Sequence, residues 1–425
     1  VARLAQTPKN QSLLLLFFRK EDLSFMSRVA GLMGHVDTVT PSRITGWAAD
    51  PARPDAALEV IIRLNDRRAR VTADRMRPDL VAAFAGATGR YGFVLDGGPL
   101  PLSPFVRTEV EVVFAEGGAP VPGGRAVVGP AGSGAPAPDR AGRPAPLVVT
   151  TMGRTGSSLL MARLARHPAI LVARGHPYEM KLLSYYAAAL RTLLAEADTE
   201  RSTRPDTMVA AEQRFFVGSN PFNPGVDARD DVMAGFWMLD APARLRACFA
   251  GMLDDYYGRV AEASGKAGAR YFAEKIGTSD LVREAAAYLF GPVCEIVLVR
   301  DPRDLICSAG AFWGRGFADS VTALKGAFAR VTRPRREPGL RQMLVRYEDL
   351  IARPEAVMAA MCGFLGVGEA ALAPDGAAEA AVFARHGTVR VLEETVGRWR
   401  RELDGAQAAV AEREFGAVLA RYGYV

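Results

Sequence analysis

The sequence predicts an α/β domain, an open parallel sheet with helices on both faces, preceded by a small all-β sandwich. Three observations carry this. From residue 147 onward, short apolar β-branched runs alternate with helical patterns, the order that builds a parallel sheet covered on both sides. Between residues 34 and 115, short β-rich runs follow one another with turn residues between them, the texture of a sandwich. Residues 116–146 are rich in Gly, Pro and Ala. Such a composition buries too little apolar surface to offset ordering entropy, so a linker is expected there.

The chain of 425 residues opens on Val1. Residues 1–33 hold one apolar run, Ser12 to Phe18, too short to span a bilayer. They read as a poorly ordered extension or an over-long gene start, with Met26 and Met33 as plausible starts. In the sandwich, strands are expected at Ile44 to Ala48, Leu58 to Leu64, Ala69 to Ala73, Tyr91 to Leu95 and Val106 to Phe114. Asp50-Pro51, Asn65-Asp66 and Gly97-Gly98-Pro99 separate them, and Asn65-Asp66 reads as a hairpin turn. Trp47 suits the core of such a sandwich better than a sugar-stacking surface.

The second domain, 147–425, has expected strands at Leu147 to Thr151, Ala169 to Ala173, Arg270 to Ala273, Glu295 to Val299 and Gln342 to Val345. Helices are expected at 157–166, 178–197, 241–263, 280–290, 304–312, 317–331 and 354–365. Residues 201–235 are polar and Pro/Gly-rich, a substrate loop or a plain insertion.

Composition narrows the function classes. Net charge is +6, and only six of the 53 basic residues are Lys. Arginine's planar fork suits phosphate and sulfate. There is no basic stripe with interleaved aromatics, so nucleic acid is not expected as a partner. Cys248, Cys294, Cys307 and Cys362 form no close pair and the four His are scattered. That argues against a zinc site or a disulfide framework, and fits a reducing, cytoplasmic setting. No run approaches a membrane span.

The chemistry centres on Val148 to Leu160, VVTTMGRTGSSLL. A strand, a glycine-bracketed turn and a helix start, in that order, direct backbone N–H groups and the positive helix end at one spot. Gly153 and Gly156 permit close approach. Arg154 adds charge, Ser157 and Ser158 add hydroxyls, and the amides of Thr155 through Ser158 complete an anion site. The same serines would also suit a helix capped with no ligand. The turn lacks the G-K-[ST] of nucleotide triphosphatases.

The cluster Arg154-Thr155-Gly156-Ser157-Ser158 resembles the phosphosulfate-binding turn of sulfotransferases that use 3′-phosphoadenosine 5′-phosphosulfate (PAPS). A second run, Arg300-Asp301-Pro302-Arg303-Asp304 with Ser308 after it, resembles that family's 3′-phosphate motif. The resemblance implies that Arg300 and Ser308 bind the ribose 3′-phosphate. A guanidinium offers paired donors to phosphate, and the hydroxyl adds one more. Val345-Arg346-Tyr347-Glu348-Asp349-Leu350 resembles a structural strand-to-helix junction of the family. Gly397-Arg398-Trp399-Arg400 resembles its closing segment, in which Arg398 and Arg400 would reach phosphates. Trp399 would pack on the purine or against a helix. Ala273-Glu274-Lys275 resembles the E-K-[ST]-P segment, which would aim Lys275 at the transferring group; Ile276 and Gly277 depart from it.

The resemblance covers residues 145–425 and implies a P-loop-type fold, PAPS as sulfuryl donor, and no metal. The acceptor would be a hydroxyl or amine on a small molecule or glycan. The proton-accepting base would be Glu179, which holds the place of a family glutamate, or His176, whose imidazole titrates near neutrality. Glu179 could accept the proton if burial raises its pKa toward neutrality; a capping or solvated Glu is the alternative. The sandwich resembles a module found beside bacterial carbohydrate-modifying enzymes, which points to a carbohydrate or glycoconjugate acceptor. Two rival readings are a P-loop kinase-like phosphotransferase and a non-catalytic nucleotide- or glycan-binding protein.

Overall fold

The structure is a computed structural model that describes residues 31–40, 43–83, 88–95, 103–130, 140–174, 177–194, 241–333, 335, 337, 339–369 and 376–424. The expected N-terminal extension up to residue 30, the turn at 97–99, the segment 201–235 and His176 lie outside them. The chain divides into two compact units.

Among the described residues up to 128, the first unit is β-strands apart from one short 3-10 turn at Pro78–Ala83. Its strands are β1 (Met33–Val39), β2 (Ile44–Ala49), β3 (Glu59–Leu64), β4 (Arg67–Thr72), β5 (Arg75–Met76), β6 (Arg90–Leu95), β7 (Thr108–Phe114) and β8 (Pro120–Val128). They pair into two four-stranded antiparallel sheets, ordered β1-β2-β6-β5 and β4-β3-β7-β8. Alternate residues of both sheets, among them Val36, Ile44 and Phe93 from one and Val60, Ile62 and Phe114 from the other, close a single core. Asn65, at φ 53, turns the β3–β4 hairpin. Trp47 is fully buried with Met33 and Tyr91, so it packs the core and presents no face to a sugar.

The expected linker needs correction. Residues 116–146 contain β8, which pairs with β7 through a turn at Gly117 and Gly118, and the start of the next strand at Ala145. Two of the glycines that read as flexibility, Gly123 and Gly124, are packing positions. A Cβ on Gly124 would come within 2.9 Å of the Val112 carbonyl, so only glycine lets the two strands approach there.

The remaining elements are β9 (Ala145–Thr151), α1 (Ser157–Leu164), β10 (Ile170–Val172), α2 (Leu182–Leu193), α3 (Ala241–Ala263), β11 (Tyr271–Gly277), α4 (Asp280–Phe290), β12 (Cys294–Val299), α5 (Pro302–Trp313), α6 (Phe317–Val331), β13 (Arg341–Arg346), α7 (Tyr347–Ala352), α8 (Pro354–Leu365), α9 (Gly376–His386), α10 (Trp399–Glu402) and α11 (Gly405–Tyr422). Five strands form one wholly parallel sheet, ordered β10-β11-β9-β12-β13. Leu147, Val149, Ile296 and Leu298 pack one face with Leu160 of α1 and Met358 of α8. Val297 and Val299 pack the other with Leu305, Phe328 and Phe415. α9 and α11 exceed the expected set, because their Ala-rich stretches carry few large apolar residues. α11 nonetheless buries Ala411, Phe415, Leu419 and Tyr422 at helical spacing behind an Asp404–Gln407 capping box.

Topology places the site. From β9 the chain winds first to one side of the sheet, and from β12 to the other. The crevice between the carboxyl ends of these neighbours is the switch point, where open α/β sheets take ligands. No helix among the described residues is long and apolar enough to cross a membrane.

Candidate active site

The turn after β9 is held by its own side chains. Thr155 is fully buried; its hydroxyl donates to the Met152 carbonyl at 2.9 Å and contacts the Thr151 hydroxyl. Its side chain therefore staples the turn, and only its backbone can face a ligand. Arg154 and Gly156 both take positive φ, 71° and 81°. A Cβ on Gly153 would lie 2.5 Å from the Trp313 ring, and one on Gly156 would overlap the Tyr347 ring. Both glycines thus let an aromatic ring press against the turn. The N-cap of α1 is Gly156, with no side-chain cap, so Ser157 and Ser158 sit in the first turn and do not cap it.

Arg300 follows β12 directly. It is 3% exposed, lies over the Tyr347 ring at 4.6 Å, and donates from Nη1 to the Arg154 carbonyl at 2.9 Å and from Nη2 to the Thr395 carbonyl. Its Nε is buried with no hydrogen-bond partner among the described residues. Asp301 caps α5 by accepting from the Arg303 amide, and Pro302 opens the helix at N1. One face of α5 then brings Ser308 to accept from Nε of Arg154 at 3.1 Å and Phe312 to lie 4.0 Å from that guanidinium. Burial, together with the nearby charges of Arg300 and then Arg398, pulls Arg154 down to about 10. A depressed guanidinium marks a concentration of positive potential, which an anion would relieve.

The closing segment is anchored by a residue that the sequence reading missed. Asp304 accepts from the amides of Gly397 at 2.7 Å and Trp399 at 3.0 Å. The Trp399 ring has the Arg303 guanidinium 4.0 Å from its centre and that of Arg400 at 4.7 Å. This is the helix-packing arrangement, with no room for a purine on those faces. Arg398 is buried in a two-pronged pair with Glu402 and donates to Thr388 at 2.6 Å. Arg398, Trp399 and Arg400 thus stand behind the cavity, outside its lining.

On the other flank, β11 runs past its expected end at Ala273, with a bulge between Lys275 and Gly277. Nζ of buried Lys275 contacts the Glu179 carboxylate and donates to the Pro177 carbonyl at 3.0 Å and Ser158 Oγ at 3.3 Å. Glu179 also pairs with Lys181 at 3.2 Å. Burial alone would raise the Glu179 carboxyl, but the hydrogen bond and charge of Lys275, aided by Lys181, outweigh it and hold the carboxyl below its ordinary value. The rise toward neutrality considered for it is corrected accordingly. Burial in turn holds the Lys275 ammonium below its usual range.

Part of this set lines one cavity of about 220 Å³, with Lys275 behind its lining. Arg154, Gly156, Ser157, Ser158, Glu179, Arg300 and Ser308 all face it. Tyr347, read from sequence as structural, lines it too, as do Phe312 and Trp313. Val382 and Phe383 of α9 form a further wall. α9 is tied to α1 by Arg163, whose Nε and Nη2 each donate to Glu379 at 2.8 Å. Among the described residues no group of three potential metal ligands occurs.

The profile of the sulfotransferase family matches residues 146–370. The chain belongs to the sulfotransferase family. This sulfotransferase is similar in structure to the sulfotransferase domain from the curacin biosynthetic pathway, with 18% identity, 65% of this chain and 97% of that chain covered, and a TM-score of 0.36. It is similar to the sulfotransferase domain from the Synechococcus PCC 7002 olefin synthase, with 19% identity, 66% and 95% coverage, and a TM-score of 0.36. A retinol dehydratase in complex with retinol and PAP also matches, with 15% identity, 74% and 91% coverage, and a TM-score of 0.28. No curated protein matches the chain. As a member of the family, the chain is an enzyme that transfers sulfuryl groups.

Proposed function

We propose that the sulfuryl donor is PAPS and that the acceptor is a hydroxyl or amine of a small molecule or glycan, on a carbohydrate or glycoconjugate in the first instance. The observation that carries the donor is Arg300. A guanidinium has five N–H donors; two face backbone carbonyls, and the buried Nε faces none. An unpaired buried donor is costly, and a phosphate oxygen would satisfy it. The donor set around it fits a nucleotide with two anionic ends. Arg300 and Ser308 would hold the ribose 3′-phosphate. Arg154, the first-turn hydroxyls of Ser157 and Ser158 and the amides at the start of α1 would hold the 5′ end.

PAPS, when bound, supplies the sulfuryl group and a nucleotide leaving group. The chain supplies position and charge, which dominate such in-line displacements. Lys275, beside Ser158 Oγ, puts an ammonium where negative charge grows on the leaving side. Glu179 is kept ionised by that same lysine, so it is ready to accept the acceptor's proton. Calorimetry tests the reading without knowledge of the acceptor. Adenosine 3′,5′-bisphosphate should bind without metal and ATP weakly. Tight, Mg²⁺-dependent ATP binding would instead indicate the kinase-like alternative.

A further inference from the structure

Glu274 lies beside Lys275 in β11, is 3% exposed, and lines no part of the cavity. Burying a carboxylate demands compensation, and two donors supply it. The Tyr257 hydroxyl donates to its Oε1 at 2.8 Å, and the Leu183 amide to its Oε2 at 2.9 Å. That amide belongs to the first turn of α2, where a negative group is also favoured by the helix dipole. α2 begins three residues after Glu179.

Neighbouring residues of a strand point to opposite faces. Lys275 and Glu274 therefore leave β11 in opposite directions, yet both end on one short stretch of chain. Lys275 takes the Pro177 carbonyl and the Glu179 carboxylate, and Glu274 takes the Leu183 amide. Between these ties, Tyr178 and Lys181 adopt positive φ, 63° and 56°, on either side of Glu179. Two non-glycine residues in that sparsely populated region persist only where their surroundings over-determine them.

We propose that Glu274 is a positioning residue: with Lys275 it clamps residues 177–183 and so fixes the Glu179 carboxylate in the cavity. The catalytic half of this rests on the reading of Glu179 as the base. Burial pushes Glu274 up to about 7, against the lowering effect of its two hydrogen bonds. The buried site thus favours the protonated carboxyl, which can still accept from the Leu183 amide while its O–H turns to the Tyr257 oxygen, so the clamp loosens as ionisation sets in with pH rising through neutrality. The groups facing it are the phenols of Tyr256 and Tyr257 from α3 and Tyr186 from α2, all raised by burial and neutral in this range.

The test is hydrogen exchange of the whole protein, followed through peptides covering 177–188, in wild type, Glu274→Gln and Tyr257→Phe. Tyr257→Phe removes one bond and keeps the carboxyl, should Glu274→Gln fold poorly. Both variants should exchange about tenfold faster in that stretch and unchanged in β9 and β12. Wild-type protection there should fall between pH 6 and 8 beyond the intrinsic trend, and Glu274→Gln should lose that pH dependence. Turnover is read as release of adenosine 3′,5′-bisphosphate from PAPS. Glu274→Gln should lower kcat about tenfold with KM for PAPS unchanged. Wild-type exchange and kcat in both variants, alongside a Glu179→Gln that is inactive, would overturn the clamp. An active Glu179→Gln would overturn the reading of the base instead, while the exchange result still decides whether the clamp exists.

Discussion

Nη1 of Arg300 donates to the carbonyl oxygen of Arg154 at 2.9 Å, across 146 residues of chain. One hydrogen bond thus joins the turn after β9 to the carboxyl end of β12, and the two halves of the proposed nucleotide grip are tied to each other by the chain itself. Changing Arg300 to Ala removes both the anchor and its remaining donors. Calorimetry should show affinity for adenosine 3′,5′-bisphosphate falling by about 100-fold or more, the scale of a buried charged partner removed. Near-normal affinity would sink the assignment.

Glu179→Gln should leave that affinity nearly intact and cut turnover by about 10²- to 10⁴-fold, the range for a general base. The measurement is adenosine 3′,5′-bisphosphate release from PAPS with saturating donor. Full turnover would pass the role to His176.

Gly156→Ala forces a Cβ into the Tyr347 ring at a φ of 81°. A penalty of about 1–3 kcal/mol is expected from backbone strain alone. Thermal denaturation should show a lowered Tm, accompanied by weaker nucleotide binding. A variant as stable as wild type would mean the turn relaxes away from Tyr347.

Stability should also respond to pH through Glu274. Its folded pKa, about 7, lies above the ordinary glutamate value of 4.5, so between these values the folded chain holds more protons than the unfolded one. Stability from this group is therefore present below about pH 4.5 and lost as pH climbs through 7. The loss is on the order of 3 kcal/mol at one pKa unit per ~1.36 kcal/mol. Glu274→Gln should flatten this part of the stability–pH curve in urea titrations. A slope equal to that of wild type would show that Glu274 titrates normally.

Asp304→Ala should free the amides of Gly397 and Trp399. Because Thr395 sits two residues before Gly397 and its carbonyl accepts from Arg300, nucleotide affinity should fall about tenfold, although no nucleotide contact is assigned to Asp304. Calorimetry checks this, and an unchanged Kd would show the segment is held by Trp399 packing alone.

Much of this was legible in advance. The strand–turn–helix at 148–160 and the Arg300 run carry local chemistry, and each strand end is marked by a change from apolar to polar residues. What escaped was what depends on distant partners. Glycines at 117, 118, 123 and 124 read as a linker because composition does not report that Val112 lies against Gly124. Trp399 could be read as meeting a purine or a helix, because nothing local reveals the guanidinium of Arg303 beside it. Whether burial would raise Glu179 was open in the sequence, because the ammonium of Lys275, nearly a hundred residues later, is not displayed by spacing. Asp304 and Glu274 pair with backbone amides, which sequence spacing does not display.

The wall formed by Val382 and Phe383 lies beyond residue 370, where the family match stops. Its helix is tied to α1 by the pairing of Arg163 with Glu379. Under the reading proposed above, the groups that would take the donor come from the matched stretch, with Thr395 holding Arg300 from beyond it, whereas this wall would face the incoming molecule. Exchanging residues 380–392 between relatives would be a route to new acceptors that leaves the sulfate-delivering apparatus in place.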